Sequence, residues 1–528
     1  MKTWKITIPL FEEHERTPLV DKLIELLNEQ NRRIDLLTDE IKRLKDLRAK
    51  PKLRPSKLKD SEKQSPKGSR KENQNQPNKQ SKNKNELINR TEIIKAENIP
   101  ADARFKGYRH YRIQELVIRI ENVLYKLERW QLPDGKYVVA KLPTEISHSH
   151  FGSMLRAYAL YQHHHQCVTQ PLLLAQLREW GVTISNGQLS RLLIDNKDAF
   201  HKEKEAILKT GLSVSSYIHT DDTGARHDGK NGYCTHIGNE LFAWFKSTDS
   251  KSRINFLELL RCSHEDYFLN EESFAYMKRY KVAPWIQERL KHYEDRPFNN
   301  KSEWEKCLNN LNITHKHYTR LVTEAALIGS ILQHGFSKDT VIVSDDAGQF
   351  NVFKHALCWI HAERGITTLI PSSPMQSDAI EWARKQIWDI YHLLLDYKKH
   401  PDKKLKSNIT KQFNELCETK TDYQTLNLVL KRIVANKDEL LIVLQRPHIP
   451  LHNNLSESDI REYVKRRKIS GSTRSDEGRQ CRDTFASLKK TALKLKVSFW
   501  DYLIDRITQK AQIPWLPDLI IQAASATA

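Results

Sequence analysis

Two β-branched runs in this chain each stop at an aspartate. Tyr217-Ile218-His219-Thr220 leads into Asp221 and Val341-Ile342-Val343-Ser344 into Asp345, while Glu457 opens a helix-like stretch after Asn453-Asn454. A sheet can gather such carboxylates from distant parts of a chain, because β-branched residues favour strands and carboxylate oxygens suit hard divalent cations. The expected cofactor is Mg2+ (or Mn2+), two ions about 4 Å apart in one site, the arrangement that breaks phosphodiesters by activating the attacking oxygen and stabilising the leaving one. Both aspartates open a pair, and successive strand residues face opposite sides, so one of each pair should ligate; the first members, Asp221 and Asp345, are taken as the ligands, with Asp222 and Asp346 orienting a ligand or a water. The local sequence also has a plainer reading. Asp-Asp and Asp-Ala-Gly are ordinary turn formers, and Asn454-x-x-Glu457 approximates a capping box in which Glu457 merely accepts from a backbone N–H.

Composition points to a polyanionic partner. Among 528 residues, 86 Lys and Arg face 66 Asp and Glu, a formal charge of +20. Seven cysteines without a Cys-x-x-Cys pair argue against a disulfide framework and a thiolate zinc site. No apolar run is long enough to span a bilayer, so the expectation is a soluble, cytoplasmic, nucleoid-associated protein with no membrane partner.

The elements expected to position the acids form a multidomain α+β chain. Residues 1–50 carry a heptad seam, Val20, Leu27, Ile34 and Ile41 with Leu23, Gln30, Leu37 and Leu44, which predicts a coiled coil and homo-oligomerisation. Residues 51–98 are expected to be a basic tether without a core; within 51–85, 11 basic residues face 3 acidic ones. Residues 99–150 alternate in strand fashion through Val117–Ile120 and Val123–Tyr125 and turn at Pro133-Asp134-Gly135, predicting a small β module. Residues 151–210 resemble a helix-turn-helix, with Thr169 and Ser185 as caps and a second helix presenting Gln188, Ser190 and Arg191 to DNA. The preceding His163-His164-His165 run is not expected to bind metal, since adjacent helical positions point different ways.

Residues 211–510 are expected to form a ribonuclease H-like α/β catalytic domain. An antiparallel meander (217–220, 233–237, 241–246), a helix and a fourth strand ending in Asp345 would make its sheet, an analogy of fold. Helical insertions are placed at about 265–335 and 377–445, and 511–528 is read as a tail. The basic run Lys465-Arg466-Arg467-Lys468, with Arg474, would neutralise DNA phosphates beside the acids.

Four blocks together resemble the transposases of the insertion sequence sixty-six family, a branch of the bacterial DDE transposases. They are His219-Thr220-Asp221-Asp222-Thr223-Gly224 with Arg226; Ser344-Asp345-Asp346-Ala347-Gly348 followed by Cys358-Trp359-Ile360-His361-Ala362-Glu363-Arg364; Asn453-Asn454-Leu455-Ser456-Glu457 through Arg461; and Arg467-Lys468 through Gly471 to Ser498-Phe499-Trp500-Asp501-Tyr502-Leu503. The resemblance covers roughly residues 150–510. It implies that Asp221, Asp345 and Glu457 are the catalytic acids of metal-dependent DNA cleavage and strand transfer, acting on the element's terminal inverted repeats and on target DNA. It also implies companion proteins from the same element. Cys358 and His361 are read as packing within the domain. His452 and Ser458 depart from the family pattern around Glu457, and the family's cysteine-rich zinc module is missing from 100–150. The rival readings are a nuclease of the same fold that does not join DNA, and a catalytically inactive DNA-binding regulator.

Overall fold

The computed structural model describes residues 17–49, 88–97, 100, 102–142 and 150–527, and the chain divides into two units, residues 1–119 and 120–528. The first unit contains helix α1 (Pro18–Ala49), which opens with Pro18 in its first turn and the Thr17 hydroxyl accepting from the Val20 N–H. Leu19, Leu23 and Leu26 are exposed on it. The side chains of Leu37, Ile41 and Leu44 and the basic stretch 51–85 lie outside the described residues.

In the second unit, β1 (Arg129–Gln131) and β2 (Tyr137–Val139) pair antiparallel around Pro133-Asp134-Gly135, with Gly135 at φ +83°, a backbone state that suits glycine. The strands expected at Val117–Ile120 and Val123–Tyr125 do not form: among the described residues these segments have no ladder partner, and Val117, Ile118, Val123 and Leu124 are exposed. Alternation makes a strand only when a neighbour supplies the hydrogen bonds.

Helices α2 (Ser153–Leu160), α3 (Gln170–Glu179), α4 (Asn186–Ile194) and α5 (Asp198–Val214) follow. Between α2 and α3 a π-turn, Tyr161–His165, carries the histidine run. His164 is buried and stacks on Phe485 with ring centroids 4.1 Å apart, a packing role.

A five-stranded mixed sheet comes next, in the order β5-β4-β3-β8-β9. Strands β3 (Tyr217–His227), β4 (Lys230–Gly238) and β5 (Ala243–Thr248) form the antiparallel meander. The chain then runs through α6 (Arg253–Leu260), β6 (Tyr267–Phe268), α7 (Glu271–Arg279), α8 (Pro284–Lys291), β7 (Pro297–Phe298), α9 (Lys301–Asn310) and α10 (Lys316–Gln333) before β8 (Val341–Ser344) and β9 (Lys354–Leu357). Strand β8 lies parallel to β3, and β9 parallel to β8. All four residues of Val341–Ser344 are buried, as expected of a parallel strand covered on both faces.

Helices α11 (Trp359–Thr367), α12 (Pro374–Lys399), α13 (Lys403–Glu418), α14 (Gln424–Ala435) and α15 (Lys437–Leu440) build a second apolar cluster around Ile387, Ile390, Phe413 and Leu430. The chain returns to the sheet as α16 (Asn454–Ser470) and α17 (Asp476–Lys494), then ends in α18 (Phe499–Thr508) and α19 (Leu516–Thr527). Helix α17 seals the free edge of β5. The Ala243, Phe245 and Ser247 N–H groups donate to Thr491 Oγ1 (3.2 Å), Ser487 Oγ (2.9 Å) and Asp483 Oδ2 (2.6 Å). A step of four along a helix rises about 6 Å, close to two residues of strand, so one face of α17 matches every outward N–H of the edge.

One continuous core runs from Ala157 through the sheet to Ile520. The helices at 153–214 therefore share the sheet's interior and do not enclose a core of their own. Residues 511–528, expected as a tail, contain α19, whose Leu516 and Ile520 are buried. Among the described residues no helix is long and apolar enough to cross a membrane.

Candidate active site

Pairing sets the first two acids side by side. The parallel ladder of β3 and β8 closes at His219 opposite Val343; two residues further on stand Asp221, still within β3, and Asp345, just past the end of β8. Asp221 does not end its strand, as the sequence suggested. Strand β3 continues to His227 because β4 keeps pairing with it, Asp221 opposite His236 and Asp222 opposite Thr235, as far as the turn at Asp228-Gly229.

Glu457 arrives in the first turn of α16. Asn453, ahead of that helix, makes no side-chain cap; its Nδ2 donates to Thr220 O (2.8 Å) and its Oδ1 accepts from His219 Nδ1 (2.9 Å). Its backbone N–H donates to Cys358 Sγ (3.3 Å). Three residues on, the Ser456 hydroxyl meets His236 Nδ1 at 2.6 Å, and His236 Nε2 faces Asp459 Oδ2 at 3.2 Å. Burial holds His219 down at about 4 and also lowers His236, so both rings are neutral at pH 7 and serve as fixed hydrogen-bonding pieces. Two strands thereby grip the helix turn that carries Glu457.

The carboxylates feel one another. Burial, with the charges of Asp345, Asp222 and Glu457, pushes Asp221 up to about 7, against a hydrogen bond from the Asp222 N–H (2.8 Å). Glu457 Oε1 is buried without a hydrogen-bond partner among the described residues, so the capping-box role does not describe this residue. His361 Nε2 stands 3.6 Å from it. Asp345 Oδ1 accepts from the Ala347 N–H at 3.1 Å. The donor atoms of the three acids do not all lie within 4.8 Å of one another, and among the described residues the one trio that does is His264, Asp266 and His334.

Asp222 accepts from Thr235 Oγ1 (2.5 Å) and Gln349 Nε2 (3.0 Å), which ties β3 to the loop after Asp345. Asp346 pairs with Arg432 Nε (2.5 Å) and Asn436 Nδ2 (3.1 Å) at the end of α14, and so anchors the helical insertion.

The basic run divides. Lys465, Lys468 and Arg474 are exposed. Arg466 is buried and donates to the His163 carbonyl, a correction to its reading as a phosphate contact. Adjacent helix positions are about 100° apart, so four in a row cannot all face solvent. Arg467 donates to Thr223 Oγ1 (3.2 Å) and the Gly224 carbonyl, which bolts α16 to β3. In α4, Ser185 caps as expected, but the Gln188 side chain is the other half of its capping box, so its Oε1 is committed to the Ser185 N–H. Ser190 is half-buried and Arg191 exposed. Sequence reasoning passed over Lys251, an exposed residue whose charge partly offsets the burial that raises the Asp222 carboxyl, and His361 as a neighbour of Glu457. The Cys358-Trp359-Ile360-His361 block held that signal.

Residues 313–481, a stretch that includes Asp345 and Glu457, match the family model described as "Transposase IS66 family". A relative described as "Uncharacterized protein y4jO" from Sinorhizobium fredii (strain NBRC 101917 / NGR234) is 44% identical over 303 residues, covering 57% of this chain and 94% of its own length.

Proposed function

The chain belongs to the IS66 family of transposases, and from that premise we propose that it cuts DNA at the ends of its mobile element and joins the exposed 3′ ends to a target. The observation that carries this reading is the convergence of Asp221, Asp345 and Glu457 from β3, β8 and α16 on one electrostatically coupled site. The strand order, an antiparallel meander followed by two strands parallel to its first member, supports a ribonuclease H-like fold for the domain.

The residues fit a divalent cation. An orphaned buried carboxylate oxygen and an aspartate whose carboxyl is pushed up first by burial and then by its acidic neighbours are groups that a positive charge would relieve. Asp221, Asp345 and Glu457 would hold magnesium or manganese, which supplies Lewis-acid activation of a phosphodiester and its nucleophile when bound. Asn453, Ser456 and His236 keep Glu457 in register with the strands, and Asp222 with Gln349 fixes the loop behind Asp345. Lys251, Lys465, Lys468 and Arg474 would neutralise phosphates without reading sequence, and Arg191, exposed on α4, would contact DNA. Self-association through the heptads of α1 would bring two element ends together.

The test is strand transfer on element-end DNA with Mg2+. Asp221→Ala, Asp345→Ala and Glu457→Ala should each cut joined product on the order of 10³-fold while end binding persists. Cut but unjoined ends from the unaltered chain would favour a nuclease, and full activity in any of the three variants would refute the assignment.

A further inference from the structure

Away from the three acids, His264, Asp266 and His334 bring one donor atom each to within 4.8 Å of one another. His264 lies in the turn after α6, Asp266 just ahead of β6, and His334 caps α10. The chain enters β8 after α10 and leaves it at Asp345, so this cluster stands beyond the opposite end of that strand from the acids. His334 Nε2 is 2.7 Å from Asp266 Oδ1, and the carboxylate is aimed by the Ser330 hydroxyl, which donates to Oδ2 at 3.0 Å. The Arg261 guanidinium donates to the Asp266 backbone carbonyl at 2.6 Å. The two imidazoles lie face to face, centroids 3.5 Å apart and planes 7° from parallel.

We propose that these three side chains form a transition-metal site, selective for Zn2+ over Mg2+, that clamps the end of α10 to the α6–β6 turn. Two imidazoles and one carboxylate are a borderline donor set suited to zinc, and three protein ligands at a partly exposed position leave the fourth corner of a tetrahedron to water. The carboxylate already has its second oxygen held by Ser330, the kind of outer hydrogen bond that fixes a ligand's orientation. Ligands on a tetrahedral zinc stand about 3.3 Å apart, so loading replaces the His334–Asp266 hydrogen bond, parts those atoms by about 0.6 Å from their present 2.7 Å and opens the ring stack. The hydrogen of that bond leaves Nε2, and the neutral imidazole that binds the ion carries its one hydrogen on Nδ1. The clamp would brace the helical insertion that precedes β8, at a distance from the catalytic acids.

The experiment uses the full-length, untagged chain dialysed against chelator and titrated with ZnCl2 by calorimetry, and with CoCl2 by visible absorption. With the three acids kept filled by excess MgCl2, the expected result is one Zn2+ per chain at micromolar Kd or tighter, Co2+ bands of four-coordinate intensity, and at least tenfold weaker binding with loss of those bands in His264→Ala and in His334→Ala. Asp221→Asn should retain both. Unaltered binding in the two histidine variants, or weak octahedral Co2+ bands in the parent chain, would overturn the site. Should a variant fail to fold, diethyl pyrocarbonate labelling of the parent decides: Zn2+ must protect His264 and His334, and equal labelling with and without Zn2+ overturns the proposal.

Discussion

Asp221 is where the electrostatic tension of the site collects. Its carboxyl is pushed up to about 7 from an ordinary value of 3.8, first by burial and then by Asp345, Asp222 and Glu457. Between those two pH values the folded chain holds a proton that the unfolded chain has released, so stability falls as pH rises through the window and levels off above 7. Asp221→Asn removes the penalty. The metal-free variant should be more stable than the parent at pH 8, on the order of 2 kcal/mol, and no different at pH 3.5, as measured by thermal melts. Because a proton and a cation compete for the same oxygens, Mg2+ affinity of the parent should weaken as pH drops below 7. The three acids are legible in the sequence because each closes or opens a recognisable run. Arg466 is misread there for the converse reason: composition marks a basic run, but only helical phase says which of its members faces inward.

At the scale of elements, α16 depends on its grip on the sheet. Asn453→Ala leaves Thr220 O and His219 Nδ1, both buried, without the Asn453 side chain that they bond, which should cost about 2 kcal/mol. It should also slow cleavage while DNA affinity stays constant, because Glu457 loses its register; an unchanged cleavage rate at temperatures where the variant is folded would show that Glu457 needs no such support. Elements are readable where local chemistry dictates them. Ser185 and the Pro133-Asp134-Gly135 turn mark correct boundaries, and the Asp228-Gly229 turn that lengthens β3 is itself a hairpin signal. Other features depend on residues far apart in sequence. The polar stripe Asp483, Ser487 and Thr491 reads as a solvent face until β5 is laid against it, and the alternation around Val117–Tyr125 lacks a partner strand.

For the second unit, the continuous core means that the helices bearing Arg191 and the sheet bearing the acids share one interior. Sequence patterning suggests a domain boundary near residue 210 because helical and strand patterns change there; the boundary dissolves because α5 packs on α17 and α19. With Lys465, Lys468 and Arg474 exposed, the chain should bind DNA with strong salt dependence. Replacing Lys465, Lys468 and Arg474 with Ala should flatten the plot of log affinity against log salt by up to about 0.9 for each phosphate left without its cation, and Arg466→Ala should lower stability and leave the slope alone.

The claim on which the rest depends is that Asp221, Asp345 and Glu457 bind one cation cluster together. Localised oxidative cleavage tests it: Fe2+ replaces Mg2+ in the parent chain, ascorbate and peroxide are added, and the polypeptide fragments are sized. Backbone cuts near residues 221, 345 and 457, rising and fading in concert as Mg2+ competes, are the predicted result. Cuts near one of these positions without the others, or a pattern that Mg2+ does not suppress, would contradict it.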